Sequence, residues 1–139
     1  MANELAAGNV NRTYSLGGTS IAIFTFTLFF LYPRFAHGEI IGWLFQATLL
    51  VLGAATFSFV FASFYYYYGA SLGSRLDDAE QVRYSRRGDR AWLIGYTMLF
   101  LAPSLVLFTI RLGVGSVWFA LWLAYVLFVI RHFRRVQTS

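Results

Sequence analysis

The chain contains no cysteine and no lysine, and among its 139 residues it has two prolines, two histidines and six acids. Each scarcity excludes chemistry. Without a thiol there is no disulfide, iron–sulfur cluster or thiolate metal site, and without a lysine amine there is no Schiff base to hold retinal or pyridoxal phosphate. His37 and His132 fall at opposite ends of the apolar runs rather than inside them, which argues against a bis-histidine haem in one chain. No metal and no cofactor is expected. Paired carboxylates, or a nucleophile beside a base, are likewise missing from the apolar runs, so the expected class is not an enzyme.

Charge is the other scarcity. Only 12% of the residues are charged and 58% are apolar, against about 25% charged in an ordinary soluble domain. The charges are also clumped, leaving uncharged runs at Thr13–Pro33, Ile40–Ser74, Ala91–Ile110 and Leu112–Ile130, of 21, 35, 20 and 19 residues. A helix rising about 1.5 Å per residue needs about 20 apolar residues to cross roughly 30 Å of hydrocarbon. Each run is long enough. The expected fold is therefore all-α, an integral membrane four-helix bundle forming one polytopic domain. Its spans lie at about 15–33, 40–68, 91–110 and 114–131, and a cytoplasmic loop covers 69–90.

All eleven cations are arginines, and their placement sets the orientation, because cytoplasmic flanks are enriched in positive charge. Nine of them fall on the side of the termini and central loop, while Arg34 and Arg111 fall on the other. Both termini are thus expected in the cytoplasm. The net charge of +5 is better matched to lipid phosphates than to nucleic acid, with Arg86, Arg87, Arg131, Arg134 and Arg135 as head-group contacts. The expected location is integral to a membrane, a prokaryotic plasma membrane in particular.

Local signals fill in the path. Tyr32-Pro33 marks the end of the first span, and Glu39 suits the positive end of the second helix. The second run would be about 52 Å long if wholly helical, so its inner end is expected to extend into the cytoplasm past Tyr65–Tyr68. Those four tyrosines point all round a helix, as an interfacial belt or as a cation-binding collar. Asp89 is read as the cap of the third span, Pro103 as a kink in its middle, and Gly113-Val114-Gly115 as the turn into the fourth. Arg87-Gly88-Asp89 and Asn11-Arg12-Thr13 match adhesion and glycosylation motifs, but both fall on the cytoplasmic side and are set aside.

Three constellations bear on function. Ala54, Ser58 and Ala62 form a small-residue stripe for helix packing, with Gly69 and Gly73 beyond it, and shorter stripes stand at Gly18/Ala22 and Ala120/Ala124. Thr25, Thr27, Gln46, Thr48, Ser58 and Ser104 can line a polar path or bond to helix carbonyls, with Pro103 as a hinge or a static kink. Arg34, His37, Glu39 and Arg111 can converge at an outer mouth. No acid stands between the span ends, which disfavours carboxylate-coupled transport. The leading expectation is a homo-oligomeric passive ion channel. The alternative is an accessory or assembly subunit packing against a larger membrane complex, so the expected partners are lipid and either copies of itself or other membrane subunits.

Overall fold

A computed structural model describes the backbone of residues 2–71 and 77–137, and side chains within 8–69, 77 and 79–131. The described residues form four helices: α1 (Ala2–Ala36), α2 (Gly42–Ser71), α3 (Asp78–Ile110) and α4 (Leu112–Gln137). Each contains a stretch long and apolar enough to cross a membrane. With 35, 30, 33 and 26 residues, they measure about 52, 45, 50 and 39 Å, so every one outruns a hydrocarbon layer of about 30 Å.

Neighbouring helices run antiparallel. Tyr66 meets Asp89 while Phe59 meets Gly95, and Phe108 meets Gly115 while Phe100 meets Tyr125. The N-terminal ends of α1 and α3 and the C-terminal ends of α2 and α4 therefore share one end of the molecule, and the two tight turns share the other. α2 packs extensively against both α1 and α3, whereas α4 packs on α3 alone and α1 barely reaches α3. The result is an open series of helices with α2 and α3 at its centre.

The centre is held by a seven-residue register. On α2 the buried side chains Phe45, Thr48, Leu52, Ala55, Phe59, Ala62 and Tyr66 are spaced alternately three and four apart, with Leu44 and Ser63 buried beside them. Such spacing averages 3.5 residues per turn and keeps one seam facing its partner along the helix. On α3 the recipients are small: Gly88, Gly95 and Ala102 are buried at intervals of seven. Tyr66 lies over Gly88 and Phe59 over Gly95, and the same register brings Leu52 level with Ala102. Ala54 and Ser58 do not define this seam. Steps of four drift by about 40° each on a 3.6-residue helix, so Ala54 faces outward, Ser58 is half-buried, and only Ala62 joins the packed face.

Four local boundaries differ from the expected ones. α1 does not stop at Tyr32-Pro33. It continues one turn to Ala36 and ends where Gly38, at φ 74°, adopts a left-handed conformation that costs glycine little. There the Gly38 and Glu39 amides donate to the Phe35 and Arg34 carbonyls at 2.9 Å each, closing a Schellman motif. α3 does not begin at Asp89. Asp77 occupies its N-cap position, and the helix runs through Asp89 and Pro103 without a break. Of the loop expected over 69–90, residues 69–71 belong to α2 and 78–90 to α3, while Gly73 lies outside the described residues.

The turn into α4 is also shorter than Gly113-Val114-Gly115. Arg111 alone separates the helices, in an extended conformation with its amide on the Leu107 carbonyl at 2.8 Å. Gly115 is instead needed inside α4. A Cβ there would lie 2.7 Å from Phe108 Cδ1 and 2.8 Å from the Phe108 backbone nitrogen.

Candidate functional site

The hydroxyls and the amide singled out as a polar path do not line up within one chain. Thr27, Thr48 and Ser104 are buried, Ser58 is half-buried, and Thr25 and Gln46 face outward. Most hydroxyls inside the helices close on a carbonyl of their own helix one turn back. Thr48 donates to Leu44 at 2.8 Å, Ser63 to Phe59 at 3.0 Å and Thr97 to Leu93 at 2.8 Å. Among the described serine and threonine hydroxyls, the exception between helices is a short relay: Thr56 donates to Ser20 Oγ at 2.9 Å, and Ser20 donates to the Leu52 carbonyl at 3.4 Å. Ser104 Oγ has no protein partner among the described residues.

At the turn end, three of the four residues assigned to a mouth come together. Arg34 Nε donates to Glu39 Oε2 at 3.1 Å, and the His37 ring N–H, taken as the Nδ1 tautomer, donates to the Pro33 carbonyl at 2.6 Å. All three serve the α1–α2 turn. Arg111 caps the other turn at the same end. The Arg86, Arg87 and Arg131 side chains are exposed; those of Arg134 and Arg135 lie outside the described residues.

The constellation with the richest chemistry lies at the opposite end, in the cleft between α1 and α3. Asn9, Arg12, Tyr66, Asp89 and Trp92 enclose a cavity of about 170 Å³. Tyr66 reaches it from α2 because Gly88 leaves room for its ring, and its hydroxyl donates to Asp89 Oδ1 at 2.6 Å. The Arg12 guanidinium stands 5.0 Å above the centre of the Trp92 ring, a cation–π geometry. From there the rings step along α3. Trp92 stacks on Tyr96 at 4.9 Å, Tyr96 meets Phe100 at 4.8 Å, and Phe100 stacks on Tyr125 of α4 at 5.6 Å.

Below this head cavity the cleft widens into an apolar groove of about 550 Å³, walled by Leu16, Ile23 and Thr27 on one side and Tyr96, Leu99 and Pro103 on the other. Leu16 lies one turn past Arg12 and Tyr96 one turn past Trp92, so cavity and groove follow one another along the same seam. The groove exists because α1 and α4 do not close over α3. Among the described residues, no three histidine, aspartate or glutamate side chains gather as a metal site.

Sequence reasoning did not join these five residues: it took Arg12 among the orienting charges, Tyr66 as one of a belt and Asp89 as a cap. The spacing carried a signal for two of them, Tyr66 and Asp89. Tyr66, Phe59 and Leu52 recur at seven, as do Gly88, Gly95 and Ala102, and matching the two series places Tyr66 against Gly88 and hence beside Asp89.

The fold defines an all-helical protein with four helices of membrane-crossing length and apolarity, a membrane-integral architecture. Comparison with protein-family models, curated proteins and solved structures returned no match.

Proposed function

We propose that the chain is a non-catalytic membrane subunit that assembles with other membrane-embedded helices. The supporting observation is that most members of the small-residue stripes, Ala62 and half-buried Ser58 apart, are left over from internal packing. Gly18 and Ala22 on α1, Ala54 on α2, and Ala120 and Ala124 on α4 all face outward, while the internal seam uses Gly88, Gly95 and Ala102 instead. In lipid, helices associate by close backbone approach rather than by hydrophobic exclusion, so outward small residues are the surface a partner helix uses. On α4 that stripe is Ala120 and Ala124, set among large outward side chains such as Leu121, Leu127 and Phe128. In this reading the subunit lies in a prokaryotic plasma membrane, and the arginine distribution favours the head-cavity end and both termini on the cytoplasmic side.

A passive channel of several copies is the second reading. Thr25 and Gln46, turned outward by the fold, would line an axis shared between copies. One experiment separates the two. Single cysteines replace Ala120 and Ala124 in this thiol-free chain, and oxidative cross-linking in native membranes is followed by flux measurement on the purified protein in liposomes. The subunit reading expects adducts of unequal mass and no flux above empty liposomes. Symmetric homo-oligomeric adducts together with ion flux overturn it in favour of the channel.

A further inference from the structure

We propose that the α1–α3 cleft is a binding site for a single phospholipid with a zwitterionic head group, its phosphate on Arg12, its ammonium on Asp89 and one acyl chain in the groove. Arg12 and Asp89 line the same cavity of about 170 Å³, yet they do not pair with each other. Asp89 takes the Tyr66 hydroxyl on Oδ1, leaving Oδ2 as an open acceptor. Arg12 sits over the Trp92 ring and no hydrogen bond ties it to another described residue, so its fork of N–H donors is available to a phosphate. Two separated opposite charges in one small cavity complement a ligand carrying both. A purely anionic head group would set its negative charge against Asp89 as well as Arg12, and an uncharged one would satisfy neither.

The tail has an equally defined place. The groove starts one helical turn from Arg12 and continues from Leu16 to Thr27 on α1, a rise of about 17 Å, close to the roughly 15 Å of one hydrocarbon leaflet. Its wall is almost wholly apolar, with the Thr27 hydroxyl as an exception at the far end. Tyr96 and Phe100 pave one side, continuing the stack that starts at Trp92 in the cavity above, as flat rigid surfaces suited to a flexible chain. Exposed Arg86, Arg87 and Arg90 stand on the same stretch of α3 as Asp89 and make that end of the helix attractive to phosphate.

The test uses the full chain in detergent, with bound lipid counted by native mass spectrometry after addition of dioleoyl phosphatidylethanolamine, dioleoyl phosphatidylglycerol or dioleoylglycerol. The expected result is one phosphatidylethanolamine per chain, held at least about tenfold more tightly than the other two. Arg12→Gln and Asp89→Asn should each weaken it by about ten- to a hundredfold, the range for loss of one charged hydrogen bond. Asparagine still accepts the Tyr66 hydroxyl, so the Asp89 variant should melt as the parent does without lipid. Ile23→Trp, which fills the groove and touches neither charge, should abolish retention. Equal retention of all three lipids, unchanged binding in the charge variants, or a lipid-free dimer whose groove is covered by a second copy each overturn the proposal.

Discussion

Replacing Gly88 with alanine tests the central seam with a sign as well as a size. The new Cβ would lie 2.8 Å from Tyr66 Cε1, 3.0 Å from Cδ1 and 3.1 Å from Cζ, well inside the roughly 3.5–4.0 Å of carbon atoms in contact. The ring cannot simply tilt away, because its hydroxyl is held by Asp89, one residue along the same helix. Helix propensity favours the change by about 1 kcal/mol, overpacking opposes it by about 1–3 kcal/mol, and a lost hydrogen bond to the carboxylate adds about 1–2 kcal/mol. The net expectation is destabilisation by about 2 kcal/mol. In a Tyr66→Ala background the obstacle is gone, only the propensity remains, and the same substitution should stabilise by about 1 kcal/mol. The coupling of about 3 kcal/mol is large for a contacting pair. It is read from unfolding in mixed micelles, followed by tryptophan fluorescence. Gly88→Ala acting with the same sign in both backgrounds would refute the seam.

Other outcomes follow from the same packing. Gly115→Ala should destabilise by about 2 kcal/mol, since part of what it meets is Phe108 backbone, while Gly53→Ala, with nothing within 4 Å, should gain up to about 1 kcal/mol; equal effects in thermal melts would contradict the close α3–α4 approach. Phe59→Ala should cost toward the low end of about 3–5 kcal/mol, because lipid supplies less transfer energy than water, and denaturant-free melting in detergent measures it. Single cysteines at Leu5 and Gln137 should react with an impermeant thiol reagent from the same face of sealed vesicles. Labelling from opposite faces would break the antiparallel order of the four helices.

The number, order and approximate centres of the helices were legible in the sequence because charge is excluded from hydrocarbon, and four uncharged runs leave little freedom. Their ends were not. The absence of charge locates the membrane, but a helix continues wherever its residues tolerate it, as α1 does through Asn9, Arg12 and Pro33, and α3 through Arg86, Gly88 and Asp89. The seam was half legible. Small residues every four drew the eye to Ala54 and Ser58, whereas a long contact between two helices needs a repeat of seven, which the spacing of Tyr66, Phe59 and Leu52 carries. The head cavity required three helices to be aligned at once, and no single segment announces Asn9, Arg12, Tyr66, Asp89 and Trp92 as neighbours.

Arg111 stands alone between α3 and α4, and a single extended residue reaches only about 3.5 Å. Such a joint has no slack. If both helices cross the bilayer, such a joint favours their entry together as a preformed hairpin over entry one after the other. Lengthening it by a few flexible residues should let the two insert separately.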